Sequence, residues 1–211
     1  MQLEQQLVSG LQALGEDPAR HPCSDYLAYL DLLEKWNKAY NLSGIREKSR
    51  MLTHHLLDSL SVLPHLRGER GLDVGSGAGL PGFILALARP QMKWLLLDSN
   101  TKKTRFIQQA LIELGPGNIE IAEMRIEDFT GEQRFHTIIS RALMPAADFY
   151  EKCQPLLADE GRILLMKSRA LNDELAELNS RPVKLQSHKL QVPGIDAERY
   201  LLQLERQQTP G

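Results

Sequence analysis

A glycine-rich segment at positions 71–82 constrains this chain more than any other feature of its sequence. A short apolar run ends at Asp73, and Gly75, Gly77 and Gly79 then follow at alternate positions before a second apolar run begins. Glycine accepts positive φ angles and lets the backbone approach a ligand closely, and the first turn of the following helix offers free N–H groups. A strand, a glycine-rich turn and a helix in this order predict a binding site for a nucleotide-like ligand.

An acidic residue after the next apolar run extends this prediction to a ribose. The run at positions 93–97 ends directly before Asp98, about 20 residues beyond the turn, where an acid can hold both ribose hydroxyls of an adenosine. This spacing does not name the cofactor, because Gly77, Gly79 and Gly82 also satisfy the pattern of a dinucleotide-binding turn.

Two details favour S-adenosylmethionine (SAM) over NAD. The acid-and-glycine register begins one step earlier, at Asp73, which is the signature of class I SAM-dependent methyltransferases. Pro81 lies where a pyrophosphate-binding helix would begin to donate N–H groups, and proline has none. We therefore predict SAM as the cofactor, with an NAD-dependent oxidoreductase and a non-catalytic nucleotide-sensing module as the alternatives.

The remaining segments indicate the fold class. From Gly71 onward, strand-like and helix-like stretches alternate, which predicts a parallel sheet covered by helices. Two last strands joined at Pro193-Gly194 should form a hairpin and place one antiparallel strand at the sheet edge. We expect residues 69–211 to form an α/β, Rossmann-like SAM-binding methyltransferase domain with a mostly parallel seven-stranded sheet and an antiparallel C-terminal strand. Residues 1–68 have helical periodicity and should form an N-terminal extension packed with the domain as one compact unit.

The composition of the chain limits where the protein can work and what it can bind. The chain has 211 residues and a formal net charge of −2, so nucleic-acid contacts must come from a local basic patch. The N-terminus carries an early acid and no apolar core, unlike a signal peptide, and no apolar run is long enough to span a membrane. There are two cysteines, far apart in sequence. We expect a reduced, cytoplasmic protein, and we expect a monomer.

Ordered sequence blocks carry a resemblance that is more specific than the glycine turn. The blocks are Trp36-Asn37-Lys38-Ala39-Tyr40-Asn41-Leu42-Ser43, His55-Leu56-Leu57-Asp58-Ser59, Gly79-Leu80-Pro81-Gly82, Leu97-Asp98-Ser99, Ser140-Arg141-Ala142 and Gln191-Val192-Pro193. With them the chain resembles the bacterial small-subunit rRNA methyltransferase G family (RsmG, also called glucose-inhibited division protein B). The resemblance implies a SAM-dependent enzyme that methylates N7 of one guanine, guanine 527, in 16S rRNA. The substrate would be the rRNA, the small ribosomal subunit or its assembly intermediate. His54 departs from the family, which usually has an arginine there.

The candidate cofactor residues gather where ligands bind in such a fold, at the carboxyl ends of the parallel strands. The backbone around the turn can touch the methionine part of SAM, and the resemblance places the adenine edge against Ile126 and Glu127. Arg141 should end the fourth strand and face the bound SAM. The predicted cofactor-binding set is Gly75, Gly77, Gly79, Leu80, Asp98, Ile126, Glu127 and Arg141.

The chemistry implied by the resemblance needs little from side chains. Guanine N7 has an available lone pair and no proton, so catalysis can rest on proximity and alignment. We expect no indispensable catalytic side chain, with Arg141 as the one candidate. Asp73 should be structural, either accepting hydrogen bonds from turn N–H groups or lying near the cationic sulfonium. His54 and His55 lack spaced partner ligands, so we expect no metal site.

Basic residues fall into clusters that could flank the mouth of the cofactor site and hold RNA phosphates. The clusters are Lys35, Lys38, Arg46, Lys48 and Arg50, then Lys102, Lys103 and Arg105, then Lys167 and Arg169. Each cluster alone is most simply a solvated face. The second and third follow predicted strands, and the second should point outward from the start of its helix. The RNA-binding candidates are Lys102, Lys103, Arg105, Lys167 and Arg46.

Overall fold

The structure is a computed structural model that describes residues 1–141, 144–168 and 172–207. Its centre is a seven-stranded sheet with the order β3-β2-β1-β4-β5-β7-β6. The strands are β1 Arg70–Val74, β2 Lys93–Leu97, β3 Ile119–Ala122, β4 Phe135–Arg141, β5 Leu157–Lys167, β6 Val183–Leu190 and β7 Arg199–Arg206. Strands β1 to β5 pair in parallel, so their carboxyl ends meet at one edge, as the fold prediction requires.

The predicted antiparallel C-terminal strand is confirmed, but its predicted place at the sheet edge is wrong. Strand β7 pairs antiparallel with both β5 and β6, so β6 forms the edge. Burial explains this order. Leu201, Leu202 and Leu204 of β7 are all buried, whereas the side chains of β6 are half-buried or exposed. Consecutive buried residues fill both faces of a strand, which suits a strand inside the sheet.

Helices cover both faces of this sheet. Their bounds are α1 Gln2–Ala13, α2 Cys23–Tyr40, α3 Lys48–Met51, α4 Asp58–Leu60, α5 Gly82–Ala88, α6 Thr101–Leu114, α7 Ala146–Cys153 and α8 Asn172–Asn179. A π-helical segment, Leu52–Leu57, joins α3 to α4. Short 3₁₀ helices occur at Pro18–Arg20, Leu63–His65, Ile126–Asp128 and Gln154–Leu156.

One hydrophobic core joins the N-terminal helices to the sheet. Leu30 of α2, Phe83 of α5 and Ile139 of β4 belong to the same buried cluster. A second cluster lies on the other face of the sheet and packs Phe149 of α7 against Leu72 of β1. The boundary expected near residue 68 stays a prediction, and the first cluster contains residues from both sides of it.

Within residues 1–141, 144–168 and 172–207, no helix combines the length and apolar character needed to cross a membrane. In the same ranges, no group of three or more His, Cys, Asp or Glu side chains is placed to hold a metal ion.

Candidate cofactor and RNA site

The glycine turn continues directly from β1 and is fastened to the end of β2. The backbone N–H groups of Gly75 and Ser76 both donate to the carbonyl of Leu97, at 2.7 and 3.1 Å. Gly75, Gly77 and Gly79 have φ angles of 70°, 62° and 83°. Residues with side chains rarely adopt these angles, so the alternate glycines give the turn its shape.

Two glycines of the turn are needed for different reasons. A Cβ atom built on Gly77 would meet only Nζ of Lys103, at 4.0 Å, so the space beside Gly77 is open. A Cβ atom on Gly82 would lie 2.8 Å from Oδ2 of Asp73. Gly82 therefore lets α5 pack closely on β1, whereas Gly77 leaves room beside the turn.

Asp98 fastens the turn to the start of α6. Its Oδ2 accepts a hydrogen bond from the N–H of Gly77 at 2.8 Å, and its Oδ1 accepts one from the N–H of Asn100 at 2.8 Å. Nζ of Lys103 lies 3.9 Å from the same Oδ2. A carboxylate has roughly four acceptor positions, so about two remain for a ligand. That number matches the two hydroxyls of a ribose.

Asp73 is the buried acid beneath the turn. Its Oδ2 accepts a hydrogen bond from the N–H of Gly82 at 2.8 Å, so it contacts the turn backbone as predicted for a structural role. Its Oδ1 has no hydrogen-bond partner among the described residues. Burial raises the pKa of Asp73 to about 7, while the hydrogen bond from Gly82 opposes this rise.

A cleft of about 400 Å³ opens beside the turn at the carboxyl ends of β1 and β2. A volume of this order suits a small ligand of nucleoside size. Gly75 and Asp98 line it on one side, and Ile126 and Glu127 on the other. The space beside Gly77, the free acceptor positions of Asp98 and this volume together fit the adenosine part of SAM.

The residues expected near the adenine differ in burial. Ile126 is buried and begins the 3₁₀ helix after β3. Glu127 is exposed, and its Oε1 lies 2.6 Å from Nζ of Lys152, which lowers the pKa of the carboxyl. Met124 and Met144 also line the cleft, and neither was among the predicted site residues. Only their position after β3 and β4 could have indicated them.

Arg141 ends β4 as predicted, and its nearest ionic partner belongs to the N-terminal helices. Its Nη1 lies 4.0 Å from Oδ2 of Asp58, which is the first residue of α4. Nε of Arg199 donates to Oδ1 of the same carboxylate at 3.2 Å. Burial raises the pKa of Asp58, and the two arginines oppose that rise. Contact between Arg141 and SAM stays a prediction.

Two further contacts define how the turn is held. The N–H of Leu80 donates to the carbonyl of Ser76 at 2.8 Å, so this group is used inside the turn. The hydroxyl of Tyr29 donates to the carbonyl of Ala78 at 2.5 Å. Tyr29 is fully buried in α2 and stacks on Phe83, with ring centroids 5.2 Å apart. This support could not be predicted, because no local signal in the sequence links α2 to the turn.

The candidate RNA-binding residues divide into two groups. Lys102, Arg105 and Arg46 are exposed, which is compatible with phosphate contacts. The outward orientation expected for Lys103 is wrong, because its side chain lines the cofactor cleft near Asp98. The position of this helix after a strand does not indicate which of its residues face the cleft.

The third basic cluster also differs from the open surface that was expected. Lys167 is only 7% exposed, and its Nζ lies 2.8 Å from Oε2 of Glu174, because β5 buries it beneath α8. An ammonium held in this way is not free to contact phosphate in this structure. Arg169, the other member of the cluster, lies outside the described residues.

A family model described as rRNA small subunit methyltransferase G (GidB) matches residues 23–203. The chain belongs to this family. A Ribosomal RNA small subunit methyltransferase G from Hahella chejuensis is 44% identical over 207 residues, which cover 98% of this chain and 95% of the relative. A protein of the same name from Chromohalobacter salexigens is 46% identical over 203 residues, covering 96% and 97%. The resemblance inferred from the sequence blocks is confirmed.

Solved structures place the fold among the SAM-dependent methyltransferases. The ribosomal protein L11 methylase of Lactobacillus delbrueckii superposes with a TM-score of 0.57 at 14% identity, over 72% of this chain and 77% of that one. The N-methyltransferase NodS of Bradyrhizobium japonicum, solved with S-adenosyl-L-homocysteine (SAH), gives 0.55 at 16% identity, over 85% and 98%. Family and fold together confirm the predicted fold class and SAM as the cofactor, and they set the NAD alternative aside.

Proposed function

We propose that this chain transfers the methyl group of SAM to N7 of one guanine in 16S rRNA, guanine 527. The proposal goes beyond the family's rRNA methyltransferase activity in naming the atom and the base. The observation that carries it is the state of the acids at the cofactor cleft. Asp98 accepts two backbone hydrogen bonds and has its remaining acceptor positions directed to the ribose in this proposal, and Glu127 is paired with Lys152.

A site with engaged acids suits a nucleophile that carries no proton. Guanine N7 is an acceptor with a lone pair, so its methylation requires no protein group to remove a proton. Methylation of a pyrimidine ring carbon by a thiolate needs an activated cysteine beside the cofactor. Cys153 of α7 is fully buried, and burial raises its pKa. A buried thiol of this kind is a poor nucleophile.

The residues of this chain would bind and orient. Bound SAM supplies an activated methyl group on its sulfonium. Asp98 would hold the ribose hydroxyls, Ile126 would pack against the adenine, and the space beside Gly77 would remain for the cofactor. Alignment of two reactants in this way can lower the activation barrier by about 7–11 kcal/mol. The remaining candidate for direct contact is Arg141, at the end of β4.

The rRNA would approach over the exposed residues Lys102, Arg105 and Arg46. Phosphate contacts position the RNA, and a guanine in folded RNA would leave its stack to reach the cleft. We expect the protein to act in the cytoplasm on 16S rRNA, the small subunit or its assembly intermediate, and to act as a monomer.

The test is direct mapping of the methylated atom. The protein is incubated with methyl-labelled SAM and small-subunit rRNA that lacks the modification, and nucleosides are analysed for 7-methylguanosine and its position. A matched RNA carries 7-deazaguanosine at the target, which replaces N7 by a carbon without a lone pair. We expect label on the normal RNA and none on the matched RNA. Label on an exocyclic amine, on a ring carbon or on another base would contradict the proposal.

A further inference from the structure

An exposed aromatic side chain stands at the end of α2. Tyr40 is 49% exposed, and it is the most exposed aromatic residue in the part of the chain that the structure describes. Its ring lies against Trp36, one turn earlier in the helix, with centroids 5.1 Å apart and planes inclined by 36°. The two rings form an aromatic pair that a third flat ring could extend.

The aromatic pair is held from below by buried groups. Trp36 meets the edge of the buried ring of Phe106 in α6, with centroids 5.8 Å apart. The buried side chain of Asn37 accepts a hydrogen bond from the N–H of Ser43 at 2.7 Å and donates to the carbonyl of Ile45 at 2.9 Å. The end of α2 and the chain that leaves it are therefore fixed against each other. A pre-organised surface loses little conformational freedom when a ligand binds.

The course of α2 brings the aromatic pair to the edge of the sheet where the cofactor cleft opens. Its first turn shares a groove with Ala88 and Pro90, at the end of α5 that lies away from the glycine turn. Farther along, Tyr29 reaches the turn at Ala78. Tyr40 lies about 16 Å beyond Tyr29, since helix residues rise about 1.5 Å each. The pair therefore stands above the turn, next to α6, whose first residues border the cleft.

Charge around the aromatic pair favours a polyanion. Lys35, Lys38 and Arg46 are exposed in this region. The neighbouring acids Asp31 and Glu34 both contact Lys48, which offsets one of their two negative charges. Aromatic rings between exposed cations form the usual surface for a single-stranded nucleic acid, because every base has a π face and every nucleotide has a phosphate.

We propose that Trp36 and Tyr40 form a stacking platform for an unpaired base of the RNA substrate, next to the guanine that enters the cleft. This inference rests on the proposed function and adds a contact that recognises unstacked RNA. Stacking of one base on an aromatic side chain changes affinity by about 5- to 150-fold. The platform would hold the strand while phosphate contacts fix its direction.

The test compares Tyr40→Ala with Tyr40→Phe, which keeps the ring, and with Ile112→Ala as the control. Ile112 is 77% exposed on α6 and lies outside the aromatic pair and the cleft-lining residues. For Tyr40→Ala we expect the KM for rRNA to rise about 5- to 150-fold, with kcat at saturating RNA and SAM affinity nearly unchanged. Tyr40→Phe and Ile112→Ala should resemble the unsubstituted protein. The slope of log Kd against log salt should not change, because no charge is removed.

Each of the other possible outcomes identifies which of the two proposals is wrong. An unchanged KM and RNA affinity for Tyr40→Ala, while the unsubstituted protein forms 7-methylguanosine, would refute the platform and leave the proposed function intact. Absence of 7-methylguanosine with the unsubstituted protein would refute the proposed function instead. A loss seen with ribosomal particles but absent with protein-free rRNA would show that Tyr40 contacts a protein. A drop in Tm and in SAM affinity would show that Tyr40 has only a structural role.

Discussion

Replacing Asp98 with asparagine tests the centre of the cofactor site. In the structure, both carboxylate oxygens accept backbone hydrogen bonds, from Gly77 and from Asn100. Asparagine has one oxygen and one amide nitrogen, so one of the two backbone N–H groups would face another donor. Because both oxygens accept backbone hydrogen bonds, Asp98→Asn should reduce stability and SAM affinity more than the sequence alone suggests.

The expected magnitudes follow from these two contacts. Loss of one hydrogen bond to a charged group costs about 1.5–3 kcal/mol. In a protein of this size 1 kcal/mol lowers Tm by about 2–4 °C, so Tm should fall by about 3–12 °C. The remaining oxygen is then used by the backbone, and the ribose loses its charged acceptor. Affinity for SAH should therefore fall by about 10- to 150-fold.

Isothermal titration calorimetry with SAH and thermal unfolding measure the two effects separately. Glu123→Gln is the matched control, because Glu123 accepts hydrogen bonds from Thr101 and Thr104 at the start of the same helix and does not line the cleft. The control should bind SAH normally. If Asp98→Asn lowered Tm but bound SAH as tightly as the unsubstituted protein, the carboxylate would serve the turn alone and the ribose contact would lie elsewhere. An unchanged Tm would refute the bridging role.

Three further predictions concern the turn, the buried acid and the basic surface. Gly77→Ala and Gly115→Ala both place a methyl group in open space at positive φ, so both variants should lose about 1 kcal/mol of stability. Calorimetry should show weaker SAH binding only for Gly77→Ala. Because the pKa of Asp73 is raised to about 7 in the folded protein, the folded state holds the proton more tightly, and stability should fall as pH rises from about 4 to about 7. Urea unfolding of Asp73→Asn should lack this decline, and a parallel decline would contradict the assignment. Replacing Lys102 and Arg105 with alanine should make the salt dependence of RNA binding shallower by about two log–log units if both contact phosphate, with SAH affinity unchanged in the same titrations.

Local signals were enough to predict most of the elements that build the site. Helix α6 begins after Asn100, whose side chain accepts hydrogen bonds from the N–H groups of Lys102 and Lys103, and it ends at Gly115 with φ of 66°. Both signals lie within a few residues of the boundary that they set. The order of β6 and β7 depends instead on pairing between distant segments, and a hairpin signal does not say which of its two strands pairs with β5.

The site shows the same division between local and long-range causes. The glycine turn and Asp98 could be predicted because each follows directly from a strand end. The orientations of Lys103 and Lys167 could not, because successive helix residues differ by about 100° and a strand residue can face either layer. Lys103 points into the cleft, and Lys167 lies under Glu174. The pairing of Arg141 with Asp58 likewise joins segments that are far apart in sequence.

The N-terminal helices contact residues of the cofactor site directly. Tyr29 of α2 donates a hydrogen bond to the carbonyl of Ala78, inside the glycine turn, and its ring stacks on Phe83 at the start of α5. Without this donor, a buried carbonyl of the turn would lose its partner, which costs about 1–3 kcal/mol. Removal of α2 would also expose the apolar side of α5 and α6, which shares one core with it. Asp58 of α4 pairs with Arg141 at the carboxyl end of β4, so the N-terminal helices contact the site at two places. We therefore expect a chain cut near residue 68 to bind SAH more weakly than the full chain.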